Sequence, residues 1–314
     1  MLKILSVMDP LERLELAQDT TVGFINSAAR RGAEVDICTP ESLFLVGDQA
    51  WAQAQSTRVS EDHIEVLETR DRPLSDYDCV WMRKDPPVDQ AYLHATYLLD
   101  FANTWVINPP SQLRAANEKL YALRFLDATP DTRVSSSPDQ VMEWLQASES
   151  PLIVKPLDGY GGLGVCLLSA SDRNSRVTLE LLTDHGRRRV VVQRYLPEAR
   201  RGDHRVIIIN GEVIGAILRT PQEDDHRGNI HVGGQVSLSP LDAAELALCE
   251  RVARQLKEDG VFFAGIDLIG GMLTEINITS PTGIRELKAL TGVDAGDLFI
   301  EAIEREVLRR GEDQ

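Results

Sequence analysis

The segment Asp158-Gly-Tyr-Gly-Gly-Leu-Gly164 limits this chain more than any other stretch. It holds the pattern G-x-G-x-x-G at Gly159, Gly161 and Gly164. In a dinucleotide-binding turn that pattern follows a strand and opens a helix, whose N-terminal N–H groups meet the pyrophosphate. Here Pro151–Lys155 precedes it and Val165–Ser169 follows it, and both read as strands. The loop therefore joins two antiparallel strands. A glycine-rich hairpin tip of this kind is a flexible flap whose backbone N–H groups can close over phosphates. Lys155, leaving an apolar strand beside the loop, is placed to pair with a phosphate. A surface turn without a ligand is the plainer alternative, and Lys155 counts against it.

A second constellation is Ala264-Gly-Ile-Asp267 with Leu273-Thr-Glu275-Ile-Asn277. In a strand Glu275 and Asn277 share a face, because the side-chain period is two. Whether Asp267 joins them depends on the turn. A two-residue turn at Gly270-Gly271 pairs Asp267 with Thr274, whereas a three-residue loop pairs it with Glu275. Oxygen ligands at so few positions suit Mg²⁺, which keeps waters and shares its remaining sites with substrate phosphates. A solvated strand face is the competing reading, and the flap weakens it.

Arginines recur at strand ends and in glycine-containing loops: Arg83, Arg205, Arg219, Arg227 and Arg285. The chain carries 33 Lys and Arg against 49 Asp and Glu, a net charge of −16. That excludes the basic footprint of a nucleic-acid binder and opposes anionic membranes. Against such a background, clustered arginines suit carboxylate and phosphate clamps. Six histidines show no metal spacing, although His226 and His231 share a loop. Cys38, Cys79, Cys166 and Cys249 lack zinc or redox spacing and read as small hydrophobes. The N-terminus has no signal-peptide pattern, and no apolar run spans a bilayer, which predicts a cytoplasmic protein.

The coarse pattern is α/β followed by α+β. Leu2–Met8, Glu34–Cys38, Asp78–Met82 and Trp105–Ile107 read as strands of a parallel sheet. A helix begins after Asp19, and Tyr92–Asn103 is helix-like. Residues 48–76 are polar and unassigned. Ser111 caps a helix to about Leu126, and another lies near Gln140–Gln146. Val190–Arg194 is a strand. Arg205–Ile209 and Val213–Leu218 flank the hairpin signal Asn210-Gly211, and Phe262–Ile269 with Met272–Ile278 forms another hairpin. Leu241–Lys257 and Leu298–Leu308 are amphipathic helices.

With these strings in hand, the chain resembles the bacterial glutathione synthetases of the ATP-grasp fold. The resemblance rests on Met82-Arg-Lys-Asp-Pro-Pro87, Asn117-Glu-Lys-Leu120, Lys155-Pro-Leu-Asp-Gly159, Gln193-Arg-Tyr-Leu-Pro197, Arg227-Gly-Asn229, Thr274-Glu-Ile-Asn277 and Thr279-Ser-Pro-Thr-Gly-Ile-Arg-Glu286. It implies an N-terminal substrate domain over 1–118, a lid domain over 119–198 and a C-terminal domain over 199–314. It implies that Lys119, Lys155, Gly159, Gly161, Gly162, Gln193, Tyr195 and Leu196 hold ATP, and that Asp267, Glu275 and Asn277 hold Mg²⁺ or Mn²⁺. Arg205, Arg219 and Arg227 would be catalytic. Arg83, Asn229, Gly233, Gly234, Ser280, Thr282, Gly283 and Arg285 would face the substrates, γ-glutamylcysteine and glycine. A homotetramer or dimer is implied as well. The chain departs from the family at Gln18, Tyr160 and His231.

The chemistry suits those residue types. A carboxylate becomes an electrophile once it takes the γ-phosphoryl group of ATP, and phosphoryl transfer needs positioning and charge neutralisation, with no protein nucleophile. The rival enzyme reading is an ATP-grasp ligase with another donor or acceptor, separated by an amine panel. A non-catalytic ATP-binding protein would be expected to lose the lysines and acidic ligands, which are all present. A nicotinamide oxidoreductase would need a helix after Gly164.

Overall fold

The computed structural model describes residues 1–61, 63–222 and 234–312. The apolar run of β1 (Lys3–Val7) is buried on both faces, as a central parallel strand requires. The Asp19 carboxylate accepts from Val22 N–H at 2.8 Å and so starts α1 (Thr20–Arg30). The chain then returns as β2 (Glu34–Cys38), parallel to β1. On the other side of β1 lies β6 (Cys79–Met82), reached through β3 (Leu43–Val46), β4 (Gln49–Ser60) and β5 (His63–Pro73). After α2 (Gln90–Leu99), β7 (Trp105–Ile107) pairs parallel with β6. The expected parallel core is therefore present, with an antiparallel extension built by β3, β4 and β5.

The unassigned polar stretch is the β4–β5 hairpin. Of β5 only Ile64 is buried, so both of its faces are largely exposed and no two-residue alternation marks it as a strand. The helix expected from Ser111 to Leu126 is instead α3 (Pro110–Ala115), followed by a break and a 3₁₀ turn over Tyr121–Phe125. Asn117 causes the break. Its Oδ1 accepts from Lys119 and Leu120 N–H at 3.1 and 3.2 Å, giving the backbone a local alternative to the helix. The break sends Glu118 and Lys119 toward the glycine loop.

The central sheet runs β10-β9-β11-β8, formed by β8 (Thr132–Ser135), β9 (Leu152–Pro156), β10 (Cys166–Leu168) and β11 (Val190–Arg194), all antiparallel. With α4 (Pro138–Ala147) and α5 (Ser175–Leu182) it encloses its own small core of Val141, Leu145, Val154, Leu179, Val190 and Val192. The third sheet, β14-β13-β12-β15-β16, is also antiparallel: β12 (Asp203–Ile209), β13 (Glu212–Thr220), β14 (Gln235–Ser237), β15 (Phe263–Ile269) and β16 (Met272–Asn277). Around it pack α6 (Ala243–Glu258), α7 (Ile284–Thr291) and α8 (Ala295–Glu312).

The first and third sheets share their cores, so the N-terminal layer and the C-terminal sheet form one packed body. At its centre Phe299 of α8 stacks on Phe24 of α1 at 4.2 Å and meets Trp81 and Phe263 edge-on at 5.5 and 5.4 Å. Phe299→Ala is expected to cost about 3–5 kcal/mol, because the three rings cannot close the cavity. A thermal melt within a degree or two of the parent would contradict that packing account. Among the described residues no helix is long and apolar enough to cross a membrane. The cysteines are free, and three of the four are buried.

Candidate active site

The third sheet carries a ladder of opposed charges across neighbouring strands. Gly202, at φ +116°, turns the chain into β12, and a Cβ there would sit 2.6 Å from the Arg219 carbonyl. Asp203 then lies opposite Arg219 of β13, and the two side chains form an ion pair. Two residues on, Arg205 lies opposite Asp267 of β15 and grips it with two bonds, 2.6 and 3.0 Å. Arg219 reaches the same carboxylate at 3.1 Å. Asp267 in turn lies opposite Glu275 of β16.

That last pairing resolves the open register. The turn is the two-residue Gly270-Gly271, which by itself would oppose Asp267 to Thr274. A bulge between Asp267 and Leu268 shifts the ladder by one residue and puts Glu275 there instead. Thr274 Oγ1 donates to the Asp267 carbonyl at 3.1 Å within the bulge. Asn277, on the Glu275 face, donates to Asp267 at 3.4 Å.

Two lysines from other segments complete the cluster. Lys155 reaches Glu275 at 3.2 Å, and Lys119 bonds Glu118 at 2.6 Å and the Gly159 carbonyl at 2.5 Å. Burial alone would raise the Asp267 carboxyl, but Arg205 and Arg219 more than offset it and hold it at about 2. Burial likewise opposes ionisation of Glu275, and Lys155 and Lys119 overcome it and lower its pKa. For Asp203 burial prevails over Arg219, and its pKa is raised. Glu118 is raised by burial and by the charge of Glu275.

Two contiguous clefts meet at this cluster. The first, about 940 Å³ of open space, lies between the central and third sheets. Lys119, Lys155, Gly159, Gly161, Gly162, Gln193, Tyr195 and Leu196 all line it. Gln193 donates to Thr132 Oγ1 at 3.0 Å. The second cleft, about 1150 Å³, is lined by Ser280, Thr282, Asn277, Arg205 and Asp85. Glu118, Tyr160, Gly161, Leu163, Arg219 and Glu275 line both. The flap therefore stands over the junction, with Gly161 and Gly162 at φ +58° and +80°. Limited proteolysis near Tyr160 is expected to slow when a non-hydrolysable ATP analogue fills the first cleft. Equal cleavage with and without it would contradict a phosphate-covering flap.

Not every expected residue lies in a cleft. Arg83 is only 5% exposed, held between the Phe24 and Phe263 rings, and donates to Thr21 Oγ1 at 3.1 Å and the Pro281 carbonyl at 3.3 Å. Its Nη1 is buried with no hydrogen-bond partner among the described residues. Burial lowers its pKa, and the charges of Asp85 and Asp19 oppose that. Arg285 donates to the carbonyls of Asp19 and Leu16, and Gly283 precedes α7 at φ +121°. Of these three, Arg83 bonds the Ser280–Thr282 segment directly, at the Pro281 carbonyl. Arg227, Asn229, Gly233, His226 and His231 lie outside the described residues, and Gly234 precedes β14. Glu118 and Asp203 belong to the site although neither was singled out from the sequence. For Asp203 the signal was its two-residue spacing from Arg205.

Among the described residues no group of three or more His, Cys, Asp or Glu side chains gathers as a metal site. An ion here would lean on the Asp267 and Glu275 carboxylates, the Asn277 amide and substrate oxygens. That hard-oxygen set fits Mg²⁺.

Two family models match successive parts of the chain. The model of the prokaryotic glutathione synthetase N-terminal domain matches residues 2–114, and that of the prokaryotic glutathione synthetase ATP-grasp domain matches residues 118–292. The glutathione synthetase of Gloeobacter violaceus is 43% identical over 311 residues, covering 96% of each chain. Among solved structures, D-cycloserine synthetase DcsG overlays with a TM-score of 0.69 at 17% identity, covering 97% of this chain and 99% of that one. The ATP-grasp ligase PsnB, solved with a precursor variant, Mg and ADP, gives 0.60 at 18% identity, covering 97% and 98%. Those two likenesses establish the ATP-grasp fold. With both halves of the sequence matched in order, and nearly the whole length shared with a curated relative, the chain belongs to the prokaryotic glutathione synthetase family.

Proposed function

We propose that this ligase joins γ-glutamylcysteine to glycine at the expense of ATP, through an acyl phosphate, giving glutathione, ADP and phosphate. The observation that carries the reading is the charge ladder at the junction of the two clefts, where four carboxylates meet four cations. ATP fits the first cleft, with adenine toward Gln193–Leu196 and phosphates toward Lys119, Lys155 and the flap glycines Gly159, Gly161 and Gly162. The donor's cysteinyl carboxylate fits the second cleft, near Arg205 and Arg219.

The steps follow. A donor carboxylate oxygen attacks the γ-phosphorus, and the bond to the β-phosphate oxygen breaks, releasing ADP. Arg205, Arg219 and the two lysines neutralise the charge spread over the transferred group. Family likeness adds Arg227 to that set, and Asn229, Gly233 and Gly234 to the acceptor side. The glycine nitrogen then attacks the acyl carbon, phosphate leaves with the bonding pair, and the amine proton passes to solvent or phosphate. The flap, through Tyr160 and Leu163, keeps water from the acyl phosphate meanwhile. Mg²⁺ or Mn²⁺, held by Asp267, Glu275 and Asn277, would supply charge neutralisation to the ATP phosphates. Arg83, Gly283 and Arg285 act by holding the Ser280–Thr282 segment against the donor. The working domain division is 1–118, 119–198 and 199–314. A cytoplasmic homo-oligomer, dimer or tetramer, suits the family.

Phosphate release should require ATP, γ-glutamylcysteine and an amine together. Glycine should exceed alanine by at least about tenfold in kcat/KM, since an added methyl in a tight site costs roughly 1–3 kcal/mol. A faster rate with alanine or serine would keep the ligase chemistry and remove glycine as the acceptor.

A further inference from the structure

The donor peptide carries more charge than the carboxylate that reacts. Its far end is an amino acid, with an α-ammonium and an α-carboxylate, and a site that buries it needs an acid for the ammonium. Among the described residues three carboxylates line the second cleft: Glu118, Glu275 and Asp85. The first two are already matched, Glu118 by Lys119 at 2.6 Å and Glu275 by Lys155 at 3.2 Å. Asp85 differs. Among the described residues no lysine, arginine or histidine forms an ion pair with its carboxylate, which receives one bond, from Ser280 Oγ to Oδ1 at 2.5 Å.

The backbone of Asp85 is fixed from two sides. Its N–H donates to Asp9 Oδ2 at 2.9 Å, and Lys84 Nζ donates to its carbonyl at 2.6 Å while pairing with Asp9 at 3.0 Å. A half-buried carboxylate held this firmly, with one oxygen uncommitted in a cleft whose other charges are balanced, is a preorganised partner for a cation. The buried Arg83 two residues earlier feels its charge without touching it.

We propose that Asp85 binds the α-ammonium of the donor's γ-glutamyl group and so selects donors that carry it, an inference that rests on the donor named above. Glycine's ammonium is the less fitting occupant, because that nitrogen must lose its charge to attack and must sit beside the acyl phosphate. Ser280 then has two tasks, lining the cleft and holding Asp85 in one rotamer.

The test compares γ-glutamylcysteine with glutarylcysteine, the same donor without the α-amino group, in the parent and in Asp85→Asn. Asparagine keeps an oxygen for Ser280, so the loop anchor survives. The parent should show a KM for glutarylcysteine at least about tenfold higher, the usual weight of a charge-assisted bond. Asp85→Asn should raise the γ-glutamylcysteine KM to that same level, with kcat and the glycine KM nearly unchanged. The proposal is overturned if the variant keeps the parent's preference, if its defect lies in the glycine KM, or if the parent itself uses both donors alike. That last comparison needs no variant. A parent enzyme that makes no glutathione at all would instead overturn the donor assignment beneath the proposal.

Discussion

Glu275→Gln is expected to lower kcat by about 10²–10³-fold while the protein stays folded. The substitution keeps the shape and removes one negative charge at the junction of the two clefts. It leaves Lys155 without its 3.2 Å partner, and it leaves Asp267 as the remaining carboxylate of the oxygen set on β15 and β16. A divalent cation held by two carboxylates and an amide loses half of its protein charge. The apparent affinity for Mg²⁺ should therefore fall along with turnover, and added metal should restore part of the rate. Steady-state kinetics against Mg²⁺ checks this, with a thermal melt as control. Near-parent turnover at low Mg²⁺ would remove Glu275 from the metal set.

Arg205→Met should cost both stability and turnover. Arg205 is 6% exposed, grips Asp267 with two bonds and also donates to the Thr282 carbonyl at 3.1 Å. Removing one partner of a buried pair leaves an uncompensated charge, a loss of about 3–5 kcal/mol in comparable cases. Arg219 still touches Asp267, which places the expectation at the lower end, about 3 kcal/mol. The rate should fall by about 10²-fold or more, because the same guanidinium lines the second cleft, where it neutralises the charge that spreads as the phosphoryl group moves. Two further variants separate the effects. Arg205→Lys keeps the charge but not the two-pronged grip, and should recover stability more than rate. Arg205→Met with Asp267→Asn should lose less stability than the two single losses added together. Strict additivity would contradict the pairing.

Much of this site was legible because its chemistry lies at short spacings in strands. Glu275 and Asn277 share a face by period alone, and Lys155 ends a strand beside a loop that only glycine permits. The Asp267–Glu275 pairing was not legible, because a one-residue bulge decides it and β16 offers no glycine there to mark it. The β4–β5 hairpin escaped notice because β5 is exposed on both faces and loses its alternation, and the buried face of β4 carries only alanines. The helix over 111–126 failed at Asn117, whose side chain bonds the backbone two and three residues on. Arg83 shows a different limit. Its place at the end of β6 suggested a ligand contact, yet Phe24, Phe263 and Pro281 close over it, and those residues lie far off in sequence.

In the proposed reaction the charge ladder drives phosphoryl transfer onto the donor's carboxylate before the amide bond forms. Isotope transfer tests it directly. With γ-glutamylcysteine carrying ¹⁸O in its cysteinyl carboxylate, glycine and unlabelled ATP, the account predicts one ¹⁸O atom in each inorganic phosphate released, matched to each glutathione formed. Phosphate free of ¹⁸O, with the expelled label in water instead, would contradict it.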